Sequence, residues 1–151
     1  MNYWLLKSEP STFSIDDLIA RPSQTEGWDG VRNYQARNMM RDQMKFGDCA
    51  FFYHSNCDAP GIVGIVKIIS AAYPDKTALD PQSKYYDPKS TIENPRWYQV
   101  DVKFFEKFPH TITLQQLRQV PKLQDMMILR KGNRLSITPV STQEWQVILA
   151  L

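Results

Sequence analysis

Apolar and polar positions alternate most regularly in Trp97 to Phe104: Tyr98, Val100, Val102 and Phe104 share one side, and Gln99, Asp101 and Lys103 the other. A period of two predicts a half-buried strand. Ile62 to Ile69 (IVGIVKII) is the most strand-like segment, and its Gly64 marks a bulge or a close approach by another chain segment. Cys49 to Ser55 (CAFFYHS) is ring-rich and predicts a strand apolar on both faces. The turn pair Pro60-Gly61 between these two runs predicts an antiparallel hairpin at the centre of a sheet. Shorter strands are expected at Tyr3 to Leu6, which Pro10 follows closely, and at Leu135 to Ile137.

Helical spacing lies between these strands. Ser14 caps a short helix with Asp16 and Asp17 in its first turn, Phe13 stapling to Leu18, and Pro22 closing it. Asn33 caps a second helix whose apolar face is Ala36, Met40 and Met44, and Gly47 supplies a C-terminal stop. Thr113 with Gln116 opens a third, Leu123 to Leu129 is short and helical, and Ser141 with Glu144 makes a capping box for the last. Gln24 to Val31 reads as loop, and Ala71 to Pro95 as a long connection carrying four prolines. Short strands and brief helices without βαβ alternation imply an α+β fold around a small mixed barrel or bent sheet.

Composition narrows this picture. A length of 151 residues suits one domain spanning 1–151. A net charge of +2 is too small for a protein that grips long nucleic acid by charge alone, although Arg118 to Arg134 is locally basic. Two cysteines eight positions apart and two distant histidines suggest neither a disulfide framework nor a metal site. No secretory leader and no 18-residue apolar run is present, so a cytoplasmic protein without a membrane span is expected.

The densest chemistry is Trp28 to Asn38 (WDGVRNYQARN): an indole and amides at a loop-to-helix junction, with the turn pair Asp29-Gly30 near its start and arginines beside them. Flat rings, amides, guanidinium groups and free helix N–H donors suit a planar heterocycle attached to a phosphate. Trp28 read as a core residue and Asn33 as a plain cap are the competing assignments. Stacking rings also come from Tyr53, Tyr85 and Tyr86, and edge-reading groups from Ser8 and Ser55. Arg32, Arg37, Lys84, Arg130 and Lys131 are the candidate phosphate contacts. No phosphate loop, nucleophile elbow or zinc motif occurs. Two alternatives stay open: an enzyme acting on nucleotides or nucleosides through His54 or Glu9, and a module that binds peptides with exposed rings.

Eight ordered motifs carry a resemblance: YWLLKSEP (3–10), FSIDDL (13–18), WDGVRNYQARN (28–38), FFYHSN (51–56), PGIVGIV (60–66), SKYYDPKS (83–90), NPRWYQVDV (94–102) and LRKGNRLSITPV (129–140). In them the chain resembles the EVE domain of the PUA-like superfamily from end to end. The resemblance implies a PUA-like mixed barrel flanked by short helices, with no cofactor. It also implies a non-enzymatic module that recognises a modified cytosine or adenine, flipped out of DNA or RNA. The base pocket it implies uses Ser8, Trp28, Asn33, Tyr53, His54, Ser55, Tyr85 and Tyr86.

Overall fold

The computed structural model describes residues 1–151. At its centre is the expected hairpin, β3 (Cys49–His54) antiparallel to β4 (Gly61–Ile68). Strand β1 (Tyr3–Ser8) lies parallel to β3, and β8 (Ile137–Val140) closes that side antiparallel to β1. On the other side, β7 (Asp101–Thr113) pairs with β4, and β2 (Thr25–Gly27) forms the far edge. The order is β2-β7-β4-β3-β1-β8. A separate ribbon joins β5 (Tyr73–Pro74) to β6 (Tyr98–Gln99). The sheet is an open, curled half-barrel, its edges β2 and β8 unpaired with each other.

Bulges supply the curl. The β4–β7 ladder slips between Ile62 and Gly64 and again between Ile65 and Val66, and β3–β4 slips between Phe52 and Tyr53. Each extra residue bends its strand and raises local twist. Gly64 also permits a close approach, since a Cβ there would stand 2.2 Å from the Glu106 carbonyl oxygen.

Both sheet faces are covered. Trp4, Leu6, Phe52 and Val66 pack on one face with α1 (Ile15–Ile19) and α2 (Tyr34–Asp42). Leu5, Phe51, Tyr53 and Ile65 pack on the other, with α3 (Leu114–Arg118) and α4 (Thr142–Leu149). The caps read from the sequence are present: Ser14 and Ser141 make complete capping boxes, and Asn33 and Thr113 accept from the N–H three residues on.

Several boundaries differ from the sequence reading. The supposed loop Gln24 to Val31 contains β2, a three-residue edge strand too short to show a period. Helix α2 stops at Asp42, well before Gly47; Met44 keeps its buried place from the following turn, so apolar spacing outlasts the helix. Leu123 to Leu129 is two 3-10 turns, Pro121–Leu123 and Met127–Leu129. The last strand lies two residues later, with Pro139 exposed on the sheet edge, where a missing N–H is tolerated. The alternating strand breaks into β6 and β7, and its "polar" Gln99 is buried. Its amide donates to the Tyr73 hydroxyl and accepts from the Lys76 N–H. Tyr73 donates onward to Asp101; burial, then that carboxylate, push its phenol up to about 12.

Candidate functional site

The WDG turn is fixed from both sides. The Trp28 N–H donates to the Val100 carbonyl at 2.7 Å, and its indole meets Phe52 and Phe13 edge to face at 5.4 and 6.4 Å. Gly30 has φ +78°, and its N–H donates to Asp75 at 2.8 Å. A Cβ at Gly30 would touch the Tyr85 ring at 2.9 Å, so the turn lies directly on that ring. The left-handed φ and the close approach together call for glycine.

Asp75 ties this turn to the long connection. Its side chain is fully enclosed and takes hydrogen bonds from Gly30, Arg32, and the N–H and hydroxyl of Thr77. Desolvation pushes its carboxyl up, but these donors more than offset that and hold it below the ordinary range. Arg32 uses every N–H of its fork: one to Val31, one to Asp75, two to the Tyr85 carbonyl and one to Thr77.

Between this turn and the C-terminal end of β1 opens a cleft of about 500 Å³, within the ordinary range for small-ligand sites. Phe13, Trp28 and Tyr85 are its rings; Lys7, Ser8 and Asp29 are among its polar groups. Trp28 is only 7% exposed, so it is a wall joined to the core rather than a free stacking platform. The Ser8 hydroxyl donates to the Phe13 carbonyl at 2.6 Å, which leaves its lone pairs for a ligand. Lys7 forms no ion pair with the protein, and burial lowers its ammonium pKa.

Of the residues singled out from the sequence, the structure brings Ser8, Trp28, Tyr85 and Lys84 to this cleft. Tyr53 is not there: strand alternation puts it on the opposite face, buried with Phe51 and Trp145. Asn33 is exposed and accepts the Ala36 N–H as the α2 cap. Tyr86 is exposed outside the cleft. Ser55 contacts the site only through its backbone, its N–H donating to the Ser8 carbonyl. His54 lies under α1, Nε2 accepting the Ile15 N–H at 3.2 Å and its ring edge-on to Phe52. Burial lowers its pKa, which suits a neutral acceptor.

The cations divide in the same way. Arg32, with no donor to spare, is a brace. Arg37 lies 4.7 Å from the Tyr34 ring and donates to Asn38 and the Arg96 carbonyl. Lys84 lies 5.1 Å from the Tyr85 ring at the cleft. Arg130 and Lys131 are exposed on the turn ahead of β8, outside it.

Phe13, by its spacing a helix staple, and Asp29, by its neighbour Gly30 a turn residue, line the cleft as well. Glu9 enters the sequence analysis only as a catalytic alternative to His54. Glu9 does line the cleft, where it accepts from Asn56, but His54 does not join it there. No group of three or more His, Cys, Asp or Glu side chains converges anywhere in the chain.

The EVE domain profile matches residues 2–151. The chain belongs to the EVE-domain family. Thymocyte nuclear protein 1 of Mus musculus is 46% identical over 166 residues, covering 99% of this chain and 73% of that protein. A crystal structure from Pseudomonas syringae is 51% identical with a TM-score of 0.93, covering 98% of this chain and 97% of that one. The human THYN1 protein, solved in complex with 5-methylcytosine-containing DNA, is 44% identical with a TM-score of 0.92, covering 99% and 96%. The curled half-barrel with its four short helices is thus the PUA-like fold of the EVE family. No helix is long and apolar enough to cross a membrane.

Proposed function

We propose that this EVE domain, acting as one unit over 1–151, binds DNA by admitting a single modified base into the cleft beside Trp28. What carries the proposal is the human relative: a 44% identical chain of the same fold was solved with DNA containing 5-methylcytosine. In support, this chain holds a cleft lined by rings and polar groups beside a turn anchored to Asp75 and Val100. Phe13, Trp28 and Tyr85 wall the base, and Ser8, Lys7 and Asp29 meet its edge. Lys84 takes an adjacent phosphate, and the exposed Arg130 and Lys131 take phosphates farther along. Arg32 and Arg37 hold the rim in shape. His54 serves as the hydrogen-bond acceptor for the start of α1, and the domain acts by binding rather than by turnover. Both cysteines are free thiols, which suits the reducing cytoplasm as the proposed compartment.

Magnitudes bound the expected selectivity. Burying a methyl group contributes about 0.8 kcal/mol, and a pocket distinguishes one methylene by about 1–3 kcal/mol. Fluorescence anisotropy on oligonucleotides differing by one 5-methyl group should therefore show a preference from about 4-fold to about 200-fold. If roughly three phosphates are neutralised, affinity should fall about 40-fold between 50 and 200 mM salt. Equal affinity for modified and plain DNA, or no binding to either, would overturn the proposal.

A further inference from the structure

We infer that Asp29 is the group through which the cleft demands an exocyclic amine on the base it holds, so that cytosine-type bases enter and thymine-type bases are refused. This rests on the cleft being a base site, as proposed above, and concerns which edge that site reads.

Asp29 is held in place, and its carboxylate pairs with no other residue. Its N–H donates to the Gly27 carbonyl, and its neighbours Trp28 and Gly30 are anchored to Val100 and Asp75. Its carboxylate enters no ion pair, although it lines the cleft and is exposed to it. The two acids nearest in charge are occupied: Glu26 accepts from Arg21 and the Gly27 N–H, and Asp75 from Gly30, Arg32 and Thr77. Arg32 has no N–H left to give it. Burial on the protein side, then the charges of Asp75 and Glu26, push the Asp29 carboxyl up, with Arg32 and the residue's own backbone N–H opposing them. Exposed to the cleft, the carboxylate is solvated and keeps acceptor lone pairs that a ligand N–H can take from water. An open acceptor among like charges is poorly placed for stability and well placed to take a hydrogen bond from a ligand.

The chemistry of the bases makes this contact selective. Cytosine and adenine each carry an amine, at N4 and N6, where thymine carries the O4 carbonyl. 5-Methylcytosine and thymine share ring size and the 5-methyl group, so apolar walls such as Phe13 and Trp28 rate them alike. An acceptor at the amine corner separates them, because it meets N–H in one and a repelling oxygen in the other. Lys7, which lines the same cleft and is free of any ion pair, is a donor for the ring's carbonyl oxygen.

The test compares two short single-stranded DNAs, identical but for one central 5-methylcytosine or thymine, by anisotropy with the wild type and Asp29→Asn. The wild type should favour 5-methylcytosine by at least about tenfold. In Asp29→Asn the amide can turn either its N–H or its oxygen to the base, and the ratio should fall below about threefold. Because the carboxylate pairs with no other residue and sits among like charges, the variant should melt at or above the wild-type temperature, which separates edge reading from damage to the fold. Equal affinity of the wild type for both DNAs overturns the inference. So does a ratio that survives Asp29→Asn, or an equal loss of affinity for both DNAs in that variant. If the wild type binds neither DNA, the base-site proposal itself fails; if it binds both and only the ratio is wrong, the role of Asp29 alone fails.

Discussion

Gly64→Val is expected to destabilise the protein by about 3 kcal/mol or more, the upper part of the range for forcing atoms into a packed core. A Cβ at Gly64 would stand 2.2 Å from the Glu106 carbonyl oxygen and 2.5 Å from Cδ1 of Ile15. The first obstacle is backbone, so it cannot rotate away. Any side chain must push β7 off β4, in the ladder that joins the two halves of the sheet. With total stability of domains at about 5–15 kcal/mol, the loss is a large share. Gly47→Ala is the informative comparison: φ is +92° there, but nothing lies within 4 Å of the added carbon. That variant should lose only about 1–2 kcal/mol, the cost of left-handed backbone. Urea unfolding of the three proteins measures both, and similar midpoints for Gly64→Val and the wild type would refute the close approach as a constraint.

Asp75→Ala should cost about 3–5 kcal/mol, since it leaves the Arg32 guanidinium half-buried without its carboxylate. It should also weaken DNA binding, because Gly30 and Arg32 then lose the anchor that fixes the WDG turn against Tyr85. The pH dependence has a definite sign. The folded-state pKa of Asp75 is depressed, so its contribution is fully present above the unfolded value of about 4 and is lost as pH falls through the folded value. The gap in melting temperature between wild type and Asp75→Ala should therefore be wide at pH 7 and narrower at pH 3. A gap that is absent at pH 7, or that widens in acid, would contradict this role.

Much of the scaffold was legible because its signals are local. Ser14, Asn33, Thr113 and Ser141 cap helices through atoms three residues away, and Gly64 interrupts a strand in which glycine has no packing value. The site was legible in part. The WDG stretch stood out by its chemistry, and Ser8, Trp28, Lys84 and Tyr85 do meet around one cleft. What failed depended on long-range pairing. The period of two says that Tyr53 and His54 face opposite ways, but not which way the cleft lies. Arg32 looked like a free phosphate ligand until Asp75, 43 residues away, took up part of its fork. Asp29 looked like a turn residue because the emptiness beside it is made by Lys7, Phe13 and Tyr85, none of them its neighbours in sequence.

The central claim is that one modified base of a DNA strand sits between the end of β1 and the WDG turn. The most direct measurement is a heteronuclear NMR titration of the labelled protein with a short DNA carrying a single 5-methylcytosine. The account predicts that the largest shifts fall on the amides of Ser8, Asp29, Gly30, Lys84 and Tyr85 and on the Trp28 indole N–H. Shifts confined to the Tyr53 and α4 face, or to the Arg130–Arg134 turn, with those cleft signals unmoved, would contradict it.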